Sequence, residues 1–235
     1  MSATNSFIRN SFLNFNRNIL TMVLGFASTI IIARVLGPEK QGIYTLVVLL
    51  PNMLVTFLNG GIGSASVYYV GKQKYSIETI VSTNIFLALI ISAISIVIGI
   101  LSIVLFRDTF FKGVPIIYLF IILSVLPLLF ANSFLQAVFQ GLQDFKVFNL
   151  VAIFGSIMNL VFLIIVVLLL RLNVIGAIIS FFASVIAPTL ILIIYLKKRN
   201  IIVRFKYISK EFIKDSLIYG YKAHLSNILA FVNYR

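Results

Sequence analysis

Several sets of polar residues stand inside otherwise apolar stretches and recur at helical spacing. Asn10, Asn14, Arg17, Thr21, Gly25 and Ser28 follow one another at steps of three or four. So do Asn52, Thr56, Asn59, Gly63 and Ser66, and then Asn132, Gln136, Gln140 and Gln143, while Asn149, Ser156 and Asn159 form a sparser set. Such steps stack side chains on one helix face. Hydrocarbon satisfies neither an amide nor a guanidinium, so these faces meet each other or a water-filled cavity. Small and polar residues also serve simply to pack helices together. That reading suits Ala88, Ser92, Ser95, Gly99 and Ser102, and also Gly176, Ser180 and Ser184. The first set, with an arginine among asparagines, suits a cavity better.

Other chemistry is missing. The six acids, Glu39, Glu78, Asp108, Asp144, Glu211 and Asp215, fall at or beyond the ends of the apolar stretches. No carboxylate stands in mid-stretch to carry a proton or a cation. No G-x-x-x-x-G-K-[ST] phosphate loop occurs, no cofactor motif is visible, and His224 alone makes no two-histidine metal site. A carboxylate pair for glycosyl chemistry is also absent. The apolar stretches hold cations rather than acids, which favours an anionic substrate.

The elements that position these residues follow from composition. The 235 residues are 61% hydrophobic and 11% charged, with no cysteine, and the mean hydropathy is +1.12. Soluble domains run at about 45–50% apolar and about 25% charged. The excess must face lipid, which excludes a cytosolic enzyme, a disordered protein and a soluble nucleic-acid binder. A bilayer core about 30 Å thick needs about 20 apolar residues per helix. Charge-free runs predict six spans, at about 10–34, 41–70, 79–106, 114–141, 147–170 and 173–196. The linkers predicted between them are Gly37–Lys40, Gly71–Lys74, Arg107–Asp108, Gln143–Lys146 and Arg171–Asn173.

Loop charge sets orientation. Arg9, Arg17, Lys72, Lys74, Lys146, Lys197, Lys198, Arg199, Arg204, Lys206, Lys210 and Lys214 fall on one side, and Arg34, Lys40, Arg107, Lys112 and Arg171 on the other. The positive-inside rule puts the N-terminus and the basic 197–214 stretch in the cytoplasm. Most of the +13 net charge is thus a topology signal, with the basic stretch placed to touch anionic headgroups rather than nucleic acid. Tyr44, Tyr68, Tyr69, Tyr75, Tyr118, Tyr195 and Tyr207 fall near span ends, as an interfacial aromatic belt would. Pro51, Pro115, Pro127 and Pro188 predict kinks in the even-numbered spans, and Gly60-Gly61-Ile62-Gly63 predicts a second soft point in span two.

The chain also restarts. Phe212-Ile-Lys-Asp-Ser-Leu217 echoes Phe7-Ile-Arg-Asn-Ser-Phe12, and Asn227-Ile-Leu229 echoes Asn18-Ile-Leu20. The expected organisation is a six-helix lobe over 1–199, a basic cytoplasmic linker over 200–214 and, over 215–235, the first helix of a second lobe. The whole chain would then be about twice as long, since weak internal repeats of this kind build many transporters.

Ala33-Arg-Val-Leu-Gly-Pro-Glu-Lys-Gln-Gly-Ile-Tyr44 resembles the first-loop signature of the polysaccharide biosynthesis, or Wzx-type, oligosaccharide flippases. Gln140-Gly-Leu-Gln-Asp-Phe-Lys146 resembles that family's loop between spans four and five, and Tyr221-Lys-Ala-His-Leu225 with Asn233-Tyr-Arg235 resembles its seventh helix. The resemblance implies an all-α polytopic membrane protein, half of a two-lobe alternating-access transporter. It implies a substrate, a sugar chain on a polyprenyl diphosphate carrier, moved from the cytoplasmic to the outer leaflet. It implies as partners membrane lipids, the missing C-terminal lobe, and a glycan polymerase and glycosyltransferases. On that reading Arg17, Lys222 and Arg235 attract the diphosphate, while Asn14, Asn52, Gln136, Gln140 and Asn159 hydrogen-bond sugar hydroxyls. A cation-coupled multidrug exporter of the same fold, a peptidoglycan lipid-precursor flippase and a membrane scaffold in a glycan-assembly complex are the alternatives.

Overall fold

A computed structural model describes residues 3–233, with side chains over 12–225. The chain is all-helical, and no strand occurs among the described residues. The helices are α1 (Ala3–Leu58), α2 (Ile62–Lys72), α3 (Ile77–Leu105), α4 (Ile116–Leu123), α5 (Leu126–Gly141), α6 (Phe145–Phe162), α7 (Asn173–Lys198) and α8 (Lys210–Asn233). A π-helical turn, Leu163–Leu169, continues α6, and a 3₁₀ turn, Phe205–Tyr207, precedes α8.

Five stretches are long and apolar enough to cross a membrane: Phe12–Leu58, Ile77–Leu105, Ile116–Gly141, Phe145–Leu169 and Asn173–Lys198. The first has 47 residues, which at 1.5 Å per residue is about 70 Å, room for two crossings of a core about 30 Å thick. It is broken at Gly37, whose φ of 73° and ψ of 172° lie in a region open essentially to glycine alone. The predicted four-residue linker therefore shrinks to one residue. Pro38 opens the next helical segment, where its missing N–H costs nothing.

The prolines act less than the sequence suggests. Helical dihedrals run through Pro51, and α7 continues through Pro188. Pro127 stands at the start of α5, after a break at Ser124–Val125 that divides the fourth predicted span. The glycine run is the real interruption of span two: α1 ends at Leu58, Gly60 and Gly61 take φ of 57° and 68°, and α2 begins at Ile62. The Asn59 side chain accepts the Gly61 N–H at 2.8 Å and stabilises the turn.

Two compact units divide the chain, one of the residues up to Thr45 with Asp144–Ile191, the other of Leu46–Gln143 with the residues from Leu192 onward. In the first, α6 and α7 approach so closely that a Cβ on Gly155 would lie 3.0 Å from the Ser184 carbonyl oxygen and 3.1 Å from Pro188. Lys40 donates to the Asn173 side chain at 2.9 Å. In the second unit α3 packs on α5, and α2 packs on both α5 and α8. Its core holds Ile62, Ile80, Phe130, Phe134, Phe139 and Phe212, all fully buried. Asn84, also fully buried, is the polar pin there, donating to Ser66 Oγ at 2.9 Å and reaching the Phe134 carbonyl at 3.5 Å.

Candidate functional site

In the first unit, Arg17 is half-buried on α1. Its Nε and Nη2 donate to the Asn18 Oδ1 at 3.2 and 2.7 Å. The guanidinium lies 4.8 Å from the centroid of the Phe148 ring on α6, a cation–π contact that fixes its plane. A guanidinium has five N–H donors, so most remain for another group. No carboxylate pairs with Arg17 among the described residues. Asn14, one turn earlier, is half-buried with its Oδ1 enclosed and unbonded. Asn159 is half-buried on α6, eleven residues or about 16 Å of helix beyond Phe148, so it does not share this spot.

In the second unit, Gln136 donates to the Asn132 side chain one turn away on α5. Asn52 on α1 and Gln140 on α5 are exposed. Lys222 is exposed on α8, and Arg235 lies outside the described residues. Within each unit, then, Arg17 and Asn14 come together, and Gln136 stands one turn from Gln140. Among the described residues no cluster of three His, Asp or Glu side chains could hold a metal. A cavity of about 360 Å³ lies against Leu54, Phe57, Ile98 and Phe106. The Ser102 hydroxyl on its wall is already bonded to the Ile98 carbonyl, so the cavity offers hydrocarbon rather than sugar-binding groups.

Sequence reasoning missed how α8 is held. Phe212, Ser216, Gly220 and His224 form its buried stripe, four residues apart, which is one face of a helix. Lys74, in the loop after α2, donates to Asp215 Oδ2 at 2.6 Å and lies 3.3 Å from Glu211, while the Tyr75 hydroxyl donates to the same Asp215 oxygen at 2.7 Å. The hydrogen bond to Asp215 raises the Lys74 ammonium above its ordinary value, and the bonds from Lys74 and Tyr75 hold the Asp215 carboxyl below its own. Burial, then the bond to Asp215, pushes the Tyr75 phenol up to about 12. Tyr219 stacks on Tyr68 at 4.3 Å. Further along, Gly220 meets the Gly60–Gly61 turn backbone to backbone, and His224 Nε2 donates to the Phe57 carbonyl at 2.9 Å. Lys74 and Asp215 stand 141 residues apart, so no local pattern announces the pair.

The linker before α8 is tied to α3, its Arg204 and Ser209 N–H groups donating to Ser82 and Thr83 at 3.2 and 3.1 Å. Lys72, Lys198 and Lys206 each lie over a tyrosine ring, of Tyr68, Tyr195 and Tyr207, at 4.7–5.4 Å. Three of the tyrosines read as part of an interfacial belt, Tyr68, Tyr69 and Tyr75, pack among themselves, Phe212 and Tyr219.

Residues 7–234 match the family model described as polysaccharide biosynthesis protein. No curated protein sequence matches the chain. Among solved structures, a MOP superfamily transporter from Pyrococcus furiosus is 22% identical with a TM-score of 0.78 over 95% of this chain and 52% of its own. A multidrug resistance MATE family transporter of the MOP superfamily in an outward-facing conformation gives 21% and 0.75 over 95% and 52%, and a MATE structure in complex with Br-NRF gives 22% and 0.74 over 97% and 57%. This chain spans about half the length of these structures and shares their fold.

Proposed function

The chain belongs to the polysaccharide biosynthesis protein family, and we propose that it is the N-terminal half of a flippase that carries polyprenyl-diphosphate-linked oligosaccharide from the cytoplasmic to the outer leaflet. The observation that carries this reading is Arg17: a half-buried guanidinium in a membrane span, seated on an aromatic ring, with donors to spare and no carboxylate beside it. A cation in such surroundings is costly, and those retained in membrane spans commonly serve a function. Phosphoryl oxygens match its planar fork and return the missing negative charge. Asn14 adds an amide one turn away. Gln136, Gln140, Asn52 and Asn159 are the groups proposed to meet sugar hydroxyls, and Lys222 and Arg235 on the seventh helix to approach the diphosphate. The basic linker and the N-terminus face the cytoplasm on this reading, with 1–199 as one lobe and 215–235 as the start of the next.

The test uses the complete coding sequence in a strain whose own flippase gene is deleted. Arg17→Ala should cut export of surface polysaccharide by at least about tenfold, and Arg17→Lys, which keeps the charge without the bidentate fork, should retain part of it. Equal export by wild type and Arg17→Ala contradicts the diphosphate role.

A further inference from the structure

We propose that Asn149 is a second recognition residue beside Arg17, one that reads a hydroxyl or N-acyl group of the first sugar while Arg17 holds the phosphoryl oxygens; this rests on the function proposed above. Asn149 follows Phe148 directly on α6, and Phe148 is the ring under the Arg17 guanidinium. Consecutive Cα atoms are about 3.8 Å apart, so the Asn149 backbone stands beside that contact, with its side chain about 100° further round α6. The residue is only 7% exposed. Neither its Nδ2 nor its Oδ1 has a hydrogen-bond partner among the described residues. The enclosed Oδ1 of Asn14, three residues and about 4.5 Å of helix before Arg17, is in the same condition.

Buried amides are almost always paired, and this protein shows what a packing amide looks like. Asn84 is buried to a similar degree, and its carboxamide is bonded to Ser66 on the neighbouring helix and reaches the Phe134 carbonyl. Asn149 makes no such bond. Both amide atoms are enclosed by protein, so no bulk water relieves the deficit. The chemistry of the ligand follows from the donors and acceptors on offer. Arg17 only donates, which suits phosphoryl oxygens, since those only accept. The Asn149 amide donates and accepts, which suits a group that does both. A sugar hydroxyl and an acetamido group do so; a bare diphosphate does not.

The protein expressed from the complete coding sequence is reconstituted in lipid nanodiscs, and binding is measured for two probes, polyprenyl diphosphate and polyprenyl diphosphate–N-acetylhexosamine. Wild type should bind the sugar-bearing probe the more tightly. Asn149→Leu should weaken that probe about tenfold, leave the bare diphosphate unchanged, and raise the thermal midpoint because the unpaired buried amide is gone. Asn149→Ser, which keeps a donor and an acceptor, should retain part of the preference. Arg17→Ala should weaken both probes. If Asn149→Leu and Asn149→Ser keep the full wild-type preference, or if wild type binds both probes alike, the role of Asn149 is overturned while that of Arg17 stands. Wild type binding neither probe overturns the reading of Arg17 and that of Asn149 together.

Discussion

Arg17 and two glycines carry the sharpest residue-scale consequences. Arg17 sits on the polar stripe of a helix whose other side chains are largely apolar, and Phe12, Phe15, Ile19, Met22, Val23 and Phe26 around it are exposed. Its guanidinium is held against the Phe148 ring, three residues into α6. Gly220 answers to geometry alone: a Cβ there would stand 2.4 Å from the Gly60 carbonyl oxygen, and one on Gly61 would stand 2.1 Å from that of Gly220. Gly220→Ala should therefore destabilise by about 1–3 kcal/mol through overpacking, and Gly37→Ala by a similar amount, about 1–3 kcal/mol, through its backbone conformation. Gly42→Ala, whose Cβ meets nothing within 4 Å, should be neutral or stabilise by about 0.5–1 kcal/mol. Thermal unfolding followed by circular dichroism checks all three, and equal midpoints for Gly220→Ala and Gly42→Ala would contradict the close approach.

At the scale of elements, the seam between α2 and α8 is the feature with the most specific chemistry. Asp215 is held below the ordinary carboxylate range, so its contribution is complete above about pH 4 and is lost as pH falls through its lowered value. Lys74 is held above its ordinary value, so its contribution is complete below about pH 10 and is lost as pH rises further. The seam should thus stay closed from about pH 5 to 9. The chain has no cysteine, so a Gln73→Cys, Lys214→Cys pair can report the distance by spin labelling. The distance should be flat across that range and should lengthen in Asp215→Asn; a shift near neutral pH would show that another group governs the seam. How much of this the sequence discloses depends on range. Helix length follows from runs of apolar residues, and the Gly60–Gly61 break from two adjacent glycines, because both signals are local. Pro51 misleads because a membrane helix accommodates a proline without leaving helical dihedrals. The Lys74–Asp215 pair, the closeness of Gly61 to Gly220 and the unpaired state of Asn149 arise from tertiary packing and leave no period to read.

At the scale of the whole molecule, the family and the fold agree. A multi-pass, all-helical chain shares the MOP transporter fold over about half the length of its solved relatives. The polar faces of span one and of α5 are legible as faces, and the cation in the first of them as a candidate ligand group. How those faces are partnered is a matter of tertiary packing, which residue types do not encode. The proposal that 215–235 opens a second lobe makes the α2–α8 seam a contact that alternating access would have to loosen. Bridging the Gln73→Cys, Lys214→Cys pair in the complete protein with a flexible, reducible bis-thiol cross-linker should then arrest export and restore it on reduction; unchanged export with the bridge formed would place α8 with the first lobe throughout the cycle.

The cation in the first span is proposed to serve an anionic, sugar-bearing lipid. Transport in proteoliposomes tests it most directly, with the protein expressed from the complete coding sequence. The measurement is the rate at which a fluorescent polyprenyl-diphosphate oligosaccharide becomes accessible in the opposite leaflet, beside the uptake of a cationic dye. The lipid-linked sugar should transfer rapidly, Arg17→Ala should slow it by at least about tenfold, and the dye should not be transported. Dye transport without lipid transfer, or equal lipid transfer by wild type and Arg17→Ala, would contradict that role.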